Sequence, residues 1–243
     1  MGLGKTGKKL AQYLVDNGAI CVGVKETDAY IYNSNGIDIK ELFSYFEEHS
    51  SFKNFSMAIP ESNDKIFQEK CDILIFAANH KSLICYVADK VKAKLIVEAA
   101  DSPISPGSHR ILSHSKMVIP DIFACAGCTI ASALEYMQNL KQVNSPLNDM
   151  LKYSDKIYEE LSNGLCIHSE QKIASPFSVQ KISSHKINSD VLENTIKKIT
   201  ENVGKEIIGT IKEFQLGHDV RSAAYIVSLQ KMYNKMYATQ RFL

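Results

Sequence analysis

Three glycines at the start of the chain restrict its fold more than any other feature. Gly2, Gly4 and Gly7 follow the spacing G-x-G-x-x-G, and the residues after them, to about Asp16, have helical periodicity. In a dinucleotide fingerprint the first glycine permits a tight turn, the second lets the backbone approach a pyrophosphate, and the third allows close packing of helix and sheet. The helix N-terminus offers free amides and a positive dipole end to phosphate. The pattern predicts a dinucleotide site.

A carboxylate in the right place strengthens this prediction. Residues 19–24 form a continuous apolar run typical of a buried strand, and Glu26 ends that strand nineteen residues after Gly7. A carboxylate there can accept hydrogen bonds from both ribose hydroxyls of an adenosine. Lys5 lies in the glycine loop and could add a phosphate contact, although a lone lysine is more often solvated. We therefore expect NAD or NADP as the cofactor.

The alternation of elements indicates an α/β fold. Short apolar runs predict strands at 73–76, 95–97 and 117–119, and helical stretches surround them at 37–49, 83–90 and 107–115. This order predicts a doubly wound, parallel Rossmann-type sheet in residues 1–125. The fingerprint should follow the central strand of such a sheet, yet it begins at residue 2. We therefore expect the sheet to have its first strand missing and two ladder edges exposed.

The second half of the chain has a helical pattern instead of alternating strands and helices. Residues 126–243 predict a mostly helical region, with a long helix over 126–140, another at 147–161 and two closing helices over 191–214 and 218–237. The stretch 163–189 is polar and has few periodic apolar positions, so we expect it to be irregular or protruding.

Composition narrows the class of partner. The formal net charge is +1, which gives no reason to expect nucleic acid or an anionic membrane. The apolar runs are far shorter than the roughly 20 residues of a membrane helix.

Six scattered cysteines suit a reducing compartment and free thiols. Cys125-x-x-Cys128 lacks a second ligand pair nearby, so packing at a helix start is preferred to a metal or redox site. His109 and His114 are expected to be solvated, and Asp121 to be a turn or cap residue.

Several short motifs follow one another along the chain in the order in which a known protein family has them. After residues 2–7 come Glu26-Thr27-Asp28, Ile31-Tyr32-Asn33, Gly36-Ile37-Asp38, Cys71-Asp72-Ile73, Ala77-Ala78, Ile119-Pro120-Asp121, Ser132, Glu135, Gly217, Asp219, Arg221 and Ala223-Ala224-Tyr225. This order, from Gly2 to about Tyr237, resembles the coenzyme domain of glutamate dehydrogenases. The long segment between Glu135 and Gly217 resembles the animal enzymes, which carry an antenna there. The resemblance places an antenna-like protrusion at about 145–190 and implies a hexamer and a mitochondrial matrix location. Without the resemblance, a cytoplasmic location is expected.

The resemblance also implies roles for individual residues. The implied reaction is oxidative deamination of L-glutamate to 2-oxoglutarate, with hydride transfer to NAD or NADP. Gly2, Gly4 and Gly7 would hold the pyrophosphate and Glu26 the adenosine ribose. The remaining candidates are Ala77 and Ala78 near the nicotinamide, Asp101 and Cys125 at two further cofactor positions, and Ser132 at the substrate.

Some positions depart from the family pattern. Ala99-Ala100-Asp101-Ser102 stands where the family usually has Gly-Ala-Asn-Gly, and Cys125-Ala126-Gly127-Cys128 where it has Asn-Ala-Gly-Gly. An ionised Asp101 cannot donate a hydrogen bond as an asparagine does. Asn202 stands where an arginine contacts ADP in the animal enzymes. Together, these changes at the cofactor and regulatory positions indicate that the chain is under weaker functional constraint than the family.

Three hypotheses follow. The first is the coenzyme-binding part of a glutamate dehydrogenase, inactive alone because no lysine of this chain aligns with the catalytic one; the chain would be a fragment or a decayed copy. The second is a non-catalytic truncated paralogue that associates with full-length subunits. The third, disfavoured by the antenna-length segment, is a related dehydrogenase of branched or aromatic amino acids. Either a homo-oligomer or association with full-length subunits is expected.

Overall fold

The computed structural model describes residues 2–56, 58–59, 64–78, 83, 85–139 and 189–240. Backbone contacts group the chain into two compact units, one formed by Met1–Cys125 with Ile207–Leu243 and the other by Ala126–Glu206. The predicted domains, 1–125 and 126–243, stay a prediction, and the contact grouping differs in joining the C-terminal residues to the first unit.

The first unit opens with a helix and an antiparallel sheet. Helix α1 spans Lys5–Asp16, and helix α2 spans Ile39–His49. Strands β1 (Gly23–Lys25), β2 (Tyr30–Tyr32) and β3 (Ala58–Ile59) pair antiparallel in that order.

Local chemistry explains where α2 begins and ends. The carboxylate of Asp38 accepts hydrogen bonds from the N–H groups of Lys40 and Glu41, at 2.9 and 3.2 Å, and so caps the N-terminus. Ser50 ends the helix in the left-handed conformation, at φ +53°.

A parallel sheet follows. Its strands are β4 (Ile73–Phe76), β5 (Leu95–Glu98) and β6 (Met117–Ile119), in that order, with Phe76 opposite Glu98 and Val97 opposite Ile119. Helices α3 (Cys85–Ala88) and α4 (Pro106–Leu112) make the crossovers. The core of this region contains fully or almost fully buried side chains from every layer, among them Phe67, Phe76, Leu83, Ile96, Leu112 and Val118. Because the three strands are parallel, their carboxyl ends share one edge of the sheet.

Helices form the rest of the described chain. They are α5 (Asp121–Ala124), α6 (Ala126–Asn139), α7 (Ser189–Glu213) and α8 (Val220–Gln240). The predicted helices over 126–140, 191–214 and 218–237 are confirmed. The predicted helix at 147–161 and the antenna-like segment lie outside the described residues, apart from the start of α7. Within the described ranges no helix has the length and apolar character needed to cross a bilayer.

The α/β prediction is confirmed, with one difference in the strands. The strand predicted at 19–24 is observed only over Gly23–Lys25, and β2 and β3 were not predicted. The N–H of Glu26 donates to the carbonyl of Ala29 at 3.0 Å, which closes a turn and folds β2 back on β1. The described strands therefore form two separate three-stranded sheets, of which only the second is parallel.

Candidate functional site

The glycine loop closes against the end of β4. Gly2 has φ +87°, and its N–H donates to the carbonyl of Lys25 at 3.0 Å. A Cβ on Gly2 would lie 2.9 Å from both the Ala77 carbonyl oxygen and the Ala78 Cβ. A Cβ on Gly7 would lie 1.8 Å from the carbonyl oxygen of Gly2. Both positions therefore require glycine, and the loop brings Gly2, Gly7, Ala77 and Ala78 together. Their role in binding a cofactor stays a prediction.

The start of α1 is open to an anion. Gly4 is the N-cap residue, and the helix has no side-chain hydrogen bond at its N-terminus. No heavy atom lies within 4 Å of the position a Cβ on Gly4 would take, and Lys5 is exposed beside it. The amides of a helix's first turn need partners, and the helix dipole favours a negative one. A diphosphate therefore fits this position chemically.

Glu26 is held at the same loop. It lies directly after β1 and is partly buried, and its carboxylate accepts a hydrogen bond from the N–H of Leu3. Since Leu3 lies between the first two glycines, the carboxylate is anchored beside the proposed pyrophosphate position. A carboxylate there can accept the hydroxyls of a ribose, as the sequence predicts.

A second cluster lies at the carboxyl ends of β5 and β6. The guanidinium of Arg221, from α8, donates to Glu98 and, at 2.9 Å, to Asp121. Glu98 is completely buried, and its Oε2 also accepts from the N–H of Asp121 at 2.8 Å. We refer to Glu98, Asp121 and Arg221 as the carboxylate clamp.

Opposing effects set the pKa values of the clamp. Burial raises the pKa of Glu98 above its ordinary value, against the lowering effects of the Asp121 N–H and of Arg221. Burial also acts to raise the pKa of Asp121, but hydrogen bonds from the Ser102 N–H and from Arg221 outweigh it and leave this pKa lowered. The two carboxylates in turn raise the pKa of Arg221 despite its burial. The other oxygen of Glu98, Oε1, is buried without a hydrogen bond to the described part of the chain.

The clamp supports the segments that carry Asp101 and Cys125. Ser102 has φ +43°, and its N–H donates to Oδ2 of Asp121 at 3.0 Å. Asp101, the preceding residue, is exposed. The Cys125 thiol donates to the carbonyl of Glu98 at 3.7 Å. Asp101 thus lies at the carboxyl edge of the sheet that also carries Ala77, because both follow parallel strands. Cys125 lies at the same edge, because its thiol contacts the last residue of β5.

Two expectations about polar residues need correction. His109 was expected to be solvated, but its side chain is only 16% exposed and its Nε2 lies 3.9 Å from Oδ1 of Asp219. Burial, and next the charge of Arg221, lower the pKa of His109. Asp121 does accept the N–H of Ile122 at 2.9 Å, as a turn residue would, but it also pairs with Arg221.

The sequence missed Glu98 as a site residue. The available signal was a carboxylate at the end of an otherwise apolar strand, where an ionised group must find a partner. Arg221 entered only through the family resemblance.

The remaining candidates are described by their own surroundings. Ser132 is exposed on α6, in the second unit. Cys128 is an exposed thiol. No group of three potential metal ligands occurs among the residues that the structure describes.

Fold and site together define a class. A G-x-G-x-x-G loop that opens a helix, a carboxylate after the next strand and a parallel sheet behind them define a Rossmann-type dinucleotide-binding protein. The family model for "Glutamate/Leucine/Phenylalanine/Valine dehydrogenase" matches residues 1–175. The chain belongs to this family.

Individual relatives agree with that assignment. The chain is 34% identical over 172 residues to the NAD-specific glutamate dehydrogenase of Staphylococcus aureus, which covers 67% of this chain and 41% of the relative. It is 28% identical over 190 residues to a Thermotoga maritima glutamate dehydrogenase, covering 71% and 46%. The chain thus spans less than half the length of these relatives. Both are bacterial, so the similarity reaches the family and not the animal type.

A solved structure shows the same fold. The hetero-hexameric glutamate dehydrogenase of Thermus thermophilus, in its Leu-bound form, superposes with a TM-score of 0.64 at 20% identity. The alignment covers 95% of this chain and 44% of that one. At 20% identity, this similarity supports a conclusion about the fold but not about function.

Proposed function

We propose that this chain is the coenzyme-binding portion of a glutamate dehydrogenase and that it binds NAD in preference to NADP. The observation that carries the proposal is the closed loop of Gly2 and Gly7 against Ala77, with Glu26 anchored to the same loop. The printed names of the relatives, including an NAD-specific enzyme, support glutamate as the substrate and NAD as the cofactor.

Each residue of the loop has a definite task in this proposal. The α1 N-terminus at Gly4 stabilises the pyrophosphate charge, because uncapped amides and the helix dipole face it. Glu26 binds the adenosine ribose and disfavours a 2′-phosphate through like-charge repulsion. The small side chains of Ala77 and Ala78 let the cofactor approach the sheet edge. The nicotinamide, when bound, accepts the hydride released in oxidative deamination of glutamate to 2-oxoglutarate.

Further assignments extend from the same proposal. Ser132 contacts the amino-acid substrate, and Asp101 and Cys125 lie near the nicotinamide half. Because the chain spans 41% of its S. aureus relative, we propose that these 243 residues bind the coenzyme but do not turn over glutamate by themselves. Turnover would then require the part of the enzyme that these residues do not contain. Size-exclusion chromatography with light scattering would reveal whether the chain forms a hexamer.

The antenna at about 145–190 and a mitochondrial matrix location belong to the same proposal, and both rest only on the resemblance to the animal enzymes. Subcellular fractionation tests the second; a purely cytosolic distribution would contradict it.

A second candidate function is a non-catalytic subunit that associates with complete glutamate dehydrogenases. The exposed carboxylate of Asp101 and the thiol of Cys125 favour it, since the family has asparagines at both places. Retention of nucleotide binding without any turnover after mixing with complete subunits, together with stable co-elution, would distinguish this function from the first.

The decisive experiment is calorimetric titration of the purified chain with NADH and with NADPH. We expect NADH to bind more tightly. Glu26→Ser should remove the charge that repels a 2′-phosphate and reduce the ratio of the two affinities by roughly tenfold, equivalent to about 1.4 kcal/mol. Glu48→Ser, at an exposed carboxylate on α2, is the matched control and should leave the ratio unchanged.

Two results would count against the proposal. A folded chain that binds neither dinucleotide is not a coenzyme-binding domain. An unchanged NADH to NADPH ratio in Glu26→Ser would remove Glu26 from the ribose site.

A further inference from the structure

The carboxylate clamp joins distant parts of the chain at one edge of the parallel sheet. Arg221 lies in the last described helix, whereas Glu98 ends β5 and Asp121 begins α5. The side chain of Arg221 is 23% exposed, that of Asp121 is 10% exposed, and that of Glu98 is inaccessible. One guanidinium therefore pairs with two largely desolvated carboxylates, which need such a partner to remain ionised.

Hydrogen bonds connect the carboxylate clamp to the backbone segments that follow β5 and β6. Asp121 accepts the N–H of Ser102 through Oδ2 while Oδ1 faces Arg221, so the guanidinium and the loop share one carboxylate. The N–H of Cys125 donates to the Asp121 carbonyl at 2.8 Å, and its thiol to the Glu98 carbonyl. The loop after β5 is thus held by the side chain of Asp121. The segment after β6 is held by Glu98 Oε2, which accepts the Asp121 N–H, and by the main-chain carbonyls of Asp121 and Glu98.

The backbone conformation of Ser102 shows that a residue outside the segment 99–102 holds that segment in place. Its φ of +43° lies in the left-handed region, which a serine adopts only at a cost of about 1 kcal/mol or more. The hydrogen bond from its N–H to Asp121 holds it there. The direction of the exposed Asp101 side chain, one residue earlier, therefore depends on the position of Asp121.

The expected direction of a bound dinucleotide indicates which half of it would lie beside the segment 99–102. The glycine loop lies between the end of β1, through Lys25, and the end of β4, through Ala77. Glu26, after β1, takes the adenosine side. The other half of an extended dinucleotide must then continue along the carboxyl edge past β4 toward β5, where the segment 99–102 lies.

We propose that Arg221 is a positioning residue for the nicotinamide half of the dinucleotide site. It acts through Glu98 and Asp121 and does not touch the cofactor. This inference rests on the proposed function, because it needs a dinucleotide bound at the glycine loop.

The test compares two ligands that differ only in the nicotinamide ring. ADP-ribose contains the adenosine, both phosphates and the second ribose but no nicotinamide, whereas NADH contains all of them. In calorimetric titrations of the full 243-residue chain, Arg221→Lys should weaken NADH binding roughly tenfold and change ADP-ribose binding less than about twofold. Lysine keeps the charge but cannot reproduce the two-pronged geometry of a guanidinium. Arg110→Lys, at an exposed arginine of α4, is the matched control and should change neither affinity.

Each other outcome overturns the inference in a recognisable way. Equal weakening of both ligands would mean that Arg221 is merely structural. An unchanged NADH affinity would mean that the clamp does not position the loop, and equal binding of NADH and ADP-ribose by the unaltered chain would mean that the nicotinamide half contributes nothing. If the unaltered chain binds neither ligand, the proposed function itself fails.

A second variant covers the case in which Arg221→Lys does not fold, as judged by circular dichroism. Glu98→Gln keeps the shape and the acceptor for the Asp121 N–H, and it leaves Arg221 paired with Asp121. It should show the same selective loss of NADH affinity with a smaller magnitude. A Glu98→Gln chain that loses both affinities equally, or neither, would contradict the inference.

Discussion

The glycine loop and the carboxylate clamp achieve their geometry by opposite means. The loop is built from backbone: Gly2 and Gly7 allow contacts that no side chain would permit, and the anchoring carboxylate of Glu26 is 23 residues from its partner. The clamp is built from charges, and its arginine lies 100 and 123 residues from the two carboxylates it binds.

This difference determines how each region should respond to change. A backbone-built site fails sterically, because a single Cβ collides with a main-chain atom that cannot move alone. A charge-built site fails electrostatically, because removing the cation leaves buried carboxylates without a partner. The following substitutions test these two modes, beginning with the largest expected effect.

Removing the clamp's cation should cost the most stability. Arg221→Met should lower the free energy of unfolding by about 3–5 kcal/mol at pH 7, because Glu98 and Asp121 would stay buried without a counter-charge. Urea unfolding followed by circular dichroism measures the loss. Arg110→Met, at an exposed arginine, should stay within about 0.5 kcal/mol of the unaltered chain. A loss below about 1 kcal/mol for Arg221→Met would show that the clamp is solvated and not desolvated.

Adding one methyl group to the glycine loop should come next. Gly7→Ala should destabilise the chain by about 1–3 kcal/mol and abolish dinucleotide binding, since its Cβ would lie 1.8 Å from the Gly2 carbonyl oxygen. Gly4→Ala is the matched control, because its Cβ meets no atom within 4 Å. We expect it to keep its melting temperature but bind NADH more weakly. Equal melting temperatures for the two variants would contradict the steric account.

Protonation of His109 should have a smaller effect, because the nearby carboxylate of Asp219 partly compensates the new charge. Its folded-state pKa is lowered from an ordinary value of 6.5, so folding favours the neutral ring. The stabilising contribution is complete above the unfolded pKa and is lost as the pH falls through the lower folded value. The unaltered chain should therefore lose stability relative to His109→Gln as the pH falls below about 6.5, in paired urea titrations. Parallel curves for the two proteins would show that His109 is not responsible.

The smallest effect concerns strain next to the clamp. Ser102→Gly should raise the free energy of unfolding by up to about 1 kcal/mol, because glycine adopts φ +43° without steric cost. Ser113→Gly is the matched control: Ser113 has φ −63° in an ordinary helical conformation, and the change should destabilise by about 0.5–1 kcal/mol. Thermal melts that rank the two variants in the reverse order would remove the claim of strain at Ser102.

Most of the elements were predictable, and the exceptions have physical causes. The strands at Ile73–Phe76 and Met117–Ile119 and the helix α1 follow directly from short-range apolar patterns. Strand β2 was missed because its three residues pair only after the turn at Glu26 reverses the chain. A three-residue strand has too little periodicity to be recognised alone.

The site divides in the same way. Gly2, Gly7 and Glu26 were predicted, and the structure brings them together with Ala77 and Ala78. The buried role of Glu98 was missed because a charged residue in a strand is more often exposed. The burial of His109 was missed for a related reason, since Asp219 and Arg221 approach it only through the return of α8.

The sequence by itself determined the parts of this protein that depend on neighbours in the chain. Glycine spacing defined the loop at the start of α1, and the alternation of apolar runs defined the α/β class, because turns, caps and periodicity act over a few residues. Only the tertiary structure decided that Arg221 meets Glu98 and Asp121, that Ser102 is held left-handed beside them and that the described strands divide into two sheets. The physical reason is that such contacts join segments many tens of residues apart, and the local sequence does not show which distant charge will pair with a buried carboxylate such as Glu98.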